Sequence, residues 1–249
     1  MNQSFYTAAV GAWQQQERLN VHGNNIANIN NYGFKAKKPS FAALMYDFIA
    51  GAQADELPRG TGTYMVGADT DFSSMGFADT GRDLDYAIEG HGFFALWDPA
   101  TGEYSYTRDG SFTMSQFYVA GQPDPETGEP TQEARWYLSD GDGRFVMGRD
   151  GRLIEVNEEN QKTQLNIGIF DFVNTNGMVN VGRNRFVPVE KNGPMQMGQG
   201  KLVKGYLERS NADLATEMVK VIESQRSFSY ALKMIQTSDE IETTVNGLR

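Results

Sequence analysis

The chain predicts an α+β fold in which discontinuous N- and C-terminal coiled-coil helices flank a central antiparallel β-rich domain. Three observations carry that expectation. Proline is absent from 1 to 38 and from 195 to 249, so neither end holds a helix breaker. Apolar residues near both ends recur in alternating steps of four and three, the spacing of a helix seam. Between them lie short runs of β-branched and aromatic residues separated by Asp-Gly and Asn-Gly pairs, which favour tight hairpins.

The first helix is expected from Ser4 to about Ile29, with Phe5, Ala9, Ala12, Gln16, Leu19, Gly23 and Ile26 along its seam. Tyr6, Val10 and Trp13 widen the apolar face beyond the needs of one neighbour. At the other end Leu207, Asn211, Leu214, Met218, Val221, Gln225, Phe228, Leu232 and Ile235 repeat the pattern. Ile241, Val245 and Leu248 continue it after a phase slip. A helix from Ser210 to Gly247 would run about 55 Å, and Ser210, Asn211 or Asp213 can cap its start.

In the centre, strands are expected at Tyr104–Tyr106, Ser111–Met114, Arg144–Met147, Leu153–Val156, Leu165–Phe172 and Arg185–Val189. Turns fall at Asp109-Gly110, Asp142-Gly143, Asp150-Gly151, Asn176-Gly177 and Asn192-Gly193. Residues 120 to 133, with Pro123, Pro125 and Pro130, read as an exposed loop, and residues 51 to 63 as a linker. The expected segments are an N-terminal helix 1–34, a linker and extension 35–75, a β-rich domain 76–204 and a C-terminal helix 205–249.

Composition narrows the function classes. The chain holds 4 basic and 2 acidic residues through position 50, 11 and 23 from 51 to 200, and 7 and 7 beyond, for net charges of +2, −12 and 0. An overall charge of −10 repels phosphate backbones and argues against nucleic-acid binding. No run reaches the roughly 18 apolar residues of a membrane span, and Met1-Asn2-Gln3-Ser4-Phe5 does not open an ordinary cleaved signal peptide. The chain has no cysteine and only two histidines, His22 and His91, without zinc-ligand spacing. Each imidazole reads as a surface or interface group with no visible titrating partner. Lys35, Lys37 and Lys38 form a small basic cluster that solvates a turn.

Catalytic patterns are weak. Asp83 with Asp85, or Asp140 with Asp142, has the residue type of a glycosidase pair, but such Asp residues beside glycine are ordinarily turn residues. G-x-S-x-G is absent, and Gly60, Gly62 and Gly67 miss the dinucleotide spacing. In Asp140-Gly141-Asp142-Gly143 the later calcium-loop positions hold Arg144, Phe145 and Gly151, which cannot serve. Trp97 and Trp136 are possible sugar platforms, though core packing is their commoner use.

Asn24-Asn25-Ile26-Ala27-Asn28-Ile29-Asn30-Asn31-Tyr32-Gly33-Phe34-Lys35 closely resembles N-N-x-A-N-x-x-x-x-G-F-K, the N-terminal signature of bacterial flagellar rod and hook proteins. Leu207-Glu208-Arg209-Ser210-Asn211-Ala212-Asp213, with Glu217-Met218-Val219, Ile222, Gln225-Arg226 and Phe228, resembles their C-terminal helix. Gly90-His91-Gly92-Phe93-Phe94 and Tyr106-Thr107-Arg108-Asp109-Gly110-Ser111-Phe112 also look like family motifs. The length favours a rod component. Tyr46 to Val66 resembles the extra segment of the distal rod type, which is preferred over the proximal type. The stretch 120–133 departs from the family, which continues there into a short hairpin.

The resemblance implies a structural subunit of the basal-body rod, with no catalytic residue, cofactor or metal. Its partners would be copies of itself, other flagellar rod and hook proteins and the flagellar type III export apparatus. Its place would be the basal body outside the cytoplasmic membrane, reached without a cleaved signal peptide. The candidate subunit interface is Phe5, Ala9, Ala12, Leu19, Asn24, Asn25, Ile26, Asn28, Gly33 and Phe34, with Leu207, Asn211, Leu214, Met218, Val221, Gln225, Arg226, Phe228, Leu232 and Ile235. Seams lacking partners in the free subunit predict terminal segments that order on polymerisation.

Overall fold

The computed structural model describes residues 3–44, 46–50, 56–123 and 130–248. It divides into two compact units, one of Met1–Ile29, Ala36–Asp71 and Ala212–Arg249, the other of Asn30–Lys35 and Phe72–Asn211. In chain order the elements begin with α1 (Gln3–Ala27), β1 (Lys37–Ala43), β2 (Tyr46–Ala50), β3 (Glu56–Gly60) and β4 (Thr63–Thr70). There follow β5 (Phe77–Asp79), β6 (Tyr86–Glu89), β7 (Phe93–Trp97), β8 (Tyr104–Thr107), β9 (Thr113–Pro123), β10 (Pro130–Ser139) and β11 (Phe145–Val146). The chain closes with α2 (Glu158–Lys162), β12 (Ile169–Phe172), β13 (Val179–Gly182), β14 (Arg185–Val187), β15 (Met195–Met197), β16 (Lys201–Lys204), β17 (Tyr206–Glu208) and α3 (Leu214–Gly247).

The first unit pairs α1 with α3 in antiparallel sense: Ser4 meets Ser238, Arg18 meets Glu223, and His22 meets Glu217. α3 begins at Leu214, four residues later than Ser210, because Asp213 is the residue whose carboxylate caps it, accepting from Thr216 N at 2.9 Å. Its 34 residues span about 51 Å. α1 ends where the Asn28 side chain donates to the Asn24 carbonyl at 2.8 Å. Beside the helices, β1 and β4 form an antiparallel ladder from Lys37↔Thr70 to Ala43↔Thr63, with a register shift at Ser40/Phe41. Within the expected linker 51–63, residues 56–60 are instead strand: β2 and β3 pair from Tyr46↔Gly60 to Ala50↔Glu56, and 51–55 lie outside the described residues.

The second unit is a nine-stranded antiparallel sheet ordered β13-β14-β8-β7-β11-β10-β9, with β12 joined to β7 and β15, plus the pairs β16-β6 and β17-β5. β7 is buried on both faces. Phe94 and Leu96 enter a core with Tyr86, Ile88, Phe112 and Leu138, while Phe93 and Ala95 enter another with Tyr106, Phe170, Phe172 and Phe186. The glycine pairs punctuate as expected at Gly143, Gly151, Gly177 and Gly193, all at positive φ. Gly110 is different. A Cβ there would lie 1.6 Å from the Tyr86 carbonyl oxygen, so close backbone approach requires that glycine.

Three expectations need correction. The described parts of 120–133 are strand and not loop: β9 continues to Pro123 and β10 begins at Pro130, which face each other at the far end of the pairing, and 124–129 lie outside the described residues. Proline is tolerated there because β9 is an edge strand and both prolines close their strands. Leu153–Val156 makes only isolated bridges, Met147↔Leu153 and Tyr137↔Glu155. Trp136 is half exposed and is not a core residue, whereas Trp97 packs edge-on against Phe117 with ring centres 6.2 Å apart.

Candidate assembly surface

The signature 24–35 is divided between the two units, and each half builds a buried polar node. In the helical unit Asn25 is completely buried. Its side chain accepts from Lys37 N at 2.9 Å and donates to Lys37 O at 2.8 Å, matching the hydrogen bonds of a strand neighbour. It also donates to Glu217 Oε2 at 3.1 Å, and His22 Nδ1 bonds the same oxygen at 2.7 Å. Lys220 Nζ donates to Glu217 Oε1 at 3.0 Å. Burial works against ionised Glu217, but the bonds from Asn25, Lys220 and His22 outweigh it and hold the carboxyl below its ordinary range. His22 is thus a buried, paired group instead of a surface imidazole; its partner lies 195 positions away, beyond any local reading. His91 is exposed.

In the β-rich unit the G-F-K, T-R-D-G and L-E-R-S-N motifs meet. Gly33, at φ 66°, donates its N–H to the Glu208 carbonyl at 2.8 Å, and a Cβ on it would lie 2.4 Å from Asp109 N. Lys35 Nζ donates to Glu208 Oε1 at 2.7 Å and to Ser73 O at 2.8 Å. Arg108 Nη1 donates to Glu208 Oε2 at 3.3 Å and Nη2 to Gly90 O at 2.7 Å, with the guanidinium carbon 5.5 Å from the Phe93 ring centre. Lys35 therefore does not solvate a turn; its side chain and that of Glu208 are wholly buried. Lys38 remains at the surface beside Asp71, at 2.6 Å.

The buried residues of α3 are polar, while many of its apolar residues are exposed. Glu217, Ser224 and Ser238 are the buried residues of α3, with Val221, Phe228, Ala231 and Ile235 half buried along the same heptad stripe. Of the expected seam, Val221, Phe228 and Ile235 share that stripe, and Leu214, one heptad before Val221, stands exposed at its start. Met218, Gln225 and Leu232 are exposed on the adjoining flank, and Arg226 is exposed on the opposite side of the helix. On α1, Ala12 and Asn25 are buried, Ala9, Leu19 and Ile26 half buried, and Phe5 and Asn24 exposed. Asn28 and Asn211 are half buried, whereas Gly33, Phe34 and Leu207 are buried inside their own unit.

A further stripe was not foreseen. Val219, Ile222, Tyr230, Met234 and Ile241 are all exposed, and at ~100° per residue they share a face of α3 distinct from that of Glu217, Ser224 and Ser238. Val219, Tyr230 and Ile241 recur every 11 residues, a spacing that keeps a nearly straight helix face in line. On α1 the Trp13 side chain is also exposed, at 68%. Helices apolar on more than one side are ordinarily covered on more than one side.

The carboxylate pairs do not make a hydrolytic site. Asp85 is buried with Thr80 Oγ1 at 2.7 Å, whereas Asp83 is exposed beside Lys204 at 3.0 Å. Asp140 and Asp142 both hold Arg144, at 3.2 and 2.7 Å, in a turn. Among the described residues no cluster of His, Asp and Glu suits a metal ion, and no helix is long and apolar enough to cross a membrane.

Comparison with known proteins accords with these placements. Residues 5–35 match the family model "Flagella basal body rod protein", residues 87–181 the "Flagellar hook protein FlgE/F/G D1 domain", and residues 203–248 the "Flagellar basal body rod FlgEFG protein C-terminal". The chain is 33% identical over 267 residues to the flagellar basal-body rod protein FlgG of Bacillus subtilis (strain 168), covering 97% of each. It is 32% identical over 256 residues to FlgG of Buchnera aphidicola subsp. Schizaphis graminum, covering 96% of each. To FlgG of Borreliella burgdorferi it is 31% identical over 274 residues, covering 100% of this chain and 99% of the relative. The chain belongs to the flagellar basal-body rod protein family and resembles its FlgG-type, distal-rod members over essentially its whole length.

Proposed function

We propose that this chain is a structural subunit of the distal flagellar rod, polymerising through its terminal helices into the shaft that transmits motor torque to the hook. The observation that carries this reading is the arrangement of α1 and α3: a polar, register-setting seam within the chain and apolar faces left for neighbours. Those faces are the surface on which coiled-coil contacts between copies form. A repeated rotation and translation that does not close yields a helical polymer, so the contacts are heterologous.

The subunit is non-enzymatic in this reading, and it leaves the cytoplasm through the flagellar export apparatus with its helices unpaired. The polar seam serves that passage, because α1 and α3 gain little from each other until a neighbour covers their apolar sides. Electron microscopy of basal bodies from a strain lacking this gene tests the assignment. An axial structure that stops short of the distal rod supports it; complete, functional flagella overturn it. Truncation nearer the base would assign the chain to the proximal rod instead.

A further inference from the structure

We infer that the long hairpin of the β-rich unit carries a binding site for a neutral oligosaccharide, a function separate from rod assembly and resting on different residues. β9 and β10 pair with Trp136 opposite Gln116, Leu138 opposite Met114 and Ala134 opposite Tyr118, which puts Met114, Tyr118 and Trp136 on one face. The other face is filled: Phe117 and Tyr137 pack against Phe145, with ring centres 5.1 and 6.0 Å away. On the first face Leu138 enters the core, and beside it the surface is open, with Trp136 50%, Tyr118 60% and Met114 41% exposed.

Beside Trp136 lies a cavity of about 420 Å³ lined by Met114, Trp136, Val156, Asn157 and Gln161. That volume lies in the range of small-molecule sites. Its wall is fixed to the hairpin, since Val156 N donates to Trp136 O at 2.9 Å and Glu155 bridges Tyr137. Asn157 immediately precedes α2, where an asparagine ordinarily bonds the helix start, yet its side chain makes no capping bond.

The lining selects one chemistry. An indole and a thioether form the apolar floor, and two carboxamides, each able to donate and accept, form the wall. None of the lining residues is charged, so a phosphate or carboxylate finds no counter-ion. An apolar peptide face would bury the amides of Asn157 and Gln161 without partners, at a desolvation cost. A pyranose offers what both surfaces need: a C–H face for the indole and a rim of hydroxyls for the carboxamides. Tyr118 sits at the diagonal position, about 7–8 Å from Trp136, and extends the floor beyond one ring. The ligand is therefore an oligomer.

Calorimetric titration of the full chain with chitohexaose, cellohexaose and xylohexaose tests the site, with circular dichroism confirming the fold of each variant. Saturable binding of at least one sugar is expected. It should weaken about tenfold in Trp136→Ala, recover partly in Trp136→Phe, and weaken in Asn157→Ala. Three results overturn the inference: no saturation by any of the three at about 10 mM, well above a millimolar dissociation constant; binding unchanged by Trp136→Ala; or self-association that Trp136→Ala abolishes while sugar has no effect on it. The last result would give this face to a second copy of the chain.

Discussion

Replacing Glu208 with alanine removes the carboxylate that holds both the Lys35 ammonium, at 2.7 Å, and the Arg108 guanidinium, at 3.3 Å, two cations that stay buried. The three side chains are 0%, 0% and 3% exposed, so water cannot replace the lost partner. Breaking a buried pair from one side costs about 3–5 kcal/mol, a large fraction of the roughly 5–15 kcal/mol that holds a domain folded. In a unit of this size that lowers the melting temperature by about 6–20 °C. The assay is thermal and urea unfolding, followed by near-ultraviolet dichroism of the aromatic-rich β unit. Glu208→Gln, which keeps the shape and one acceptor, should fall between wild type and alanine. Lys35→Met should cost less in the Glu208→Ala chain than in wild type, because the ammonium it removes has already lost its Glu208 carboxylate there. A loss below about 1 kcal/mol for Glu208→Ala, in the range of exposed pairs, would refute the reasoning.

Gly110→Ala places a methyl group on the Tyr86 carbonyl, and an expected loss above about 4 kcal/mol, or no soluble protein, distinguishes close approach from simple turn flexibility. Asp213→Ala should lower the helical unit's stability by about 1 kcal/mol, read from helix dichroism in urea, since it frees the first-turn amide of Thr216. Glu217 has a carboxyl held below its ordinary value, so its contribution is complete at pH values above that ordinary range and is lost as pH falls through the folded value. Helix dichroism followed from pH 6 downward should therefore show an acid limb near and below about pH 4 that flattens in Glu217→Gln. An unchanged limb would mean that other carboxylates govern it.

How much was legible in the chain depended on whether the signal was local. Both terminal helices followed from proline-free stretches with seam spacing, and most central strands from their turn pairs. The facing side of α3 did not. Apolar residues surround this helix, so periodicity has no single stripe to select, and the most buried positions are Glu217, Ser224 and Ser238, which hydropathy assigns to water. The nodes at Glu217 and Glu208 join residues 195 and 173 positions apart, separations at which sequence carries no distance information. His22 and Asn25 lie beside the expected α1 stripe and not in it, so periodicity does not select them; Asn25 is marked only by the N-terminal signature. The prolines at 123 and 130 misled for a definable reason: the absent N–H matters inside a sheet, and these close the free end of an edge hairpin.

The chain contains no cysteine, so a single thiol introduced by Tyr230→Cys reports on one point of the exposed α3 stripe without background. Maleimide labelling of that thiol in dispersed subunits and in intact basal bodies tests most directly whether terminal-helix faces join copies of the chain. Rapid labelling of dispersed protein and strong protection in the rod are predicted; equal labelling in both would contradict assembly through this face.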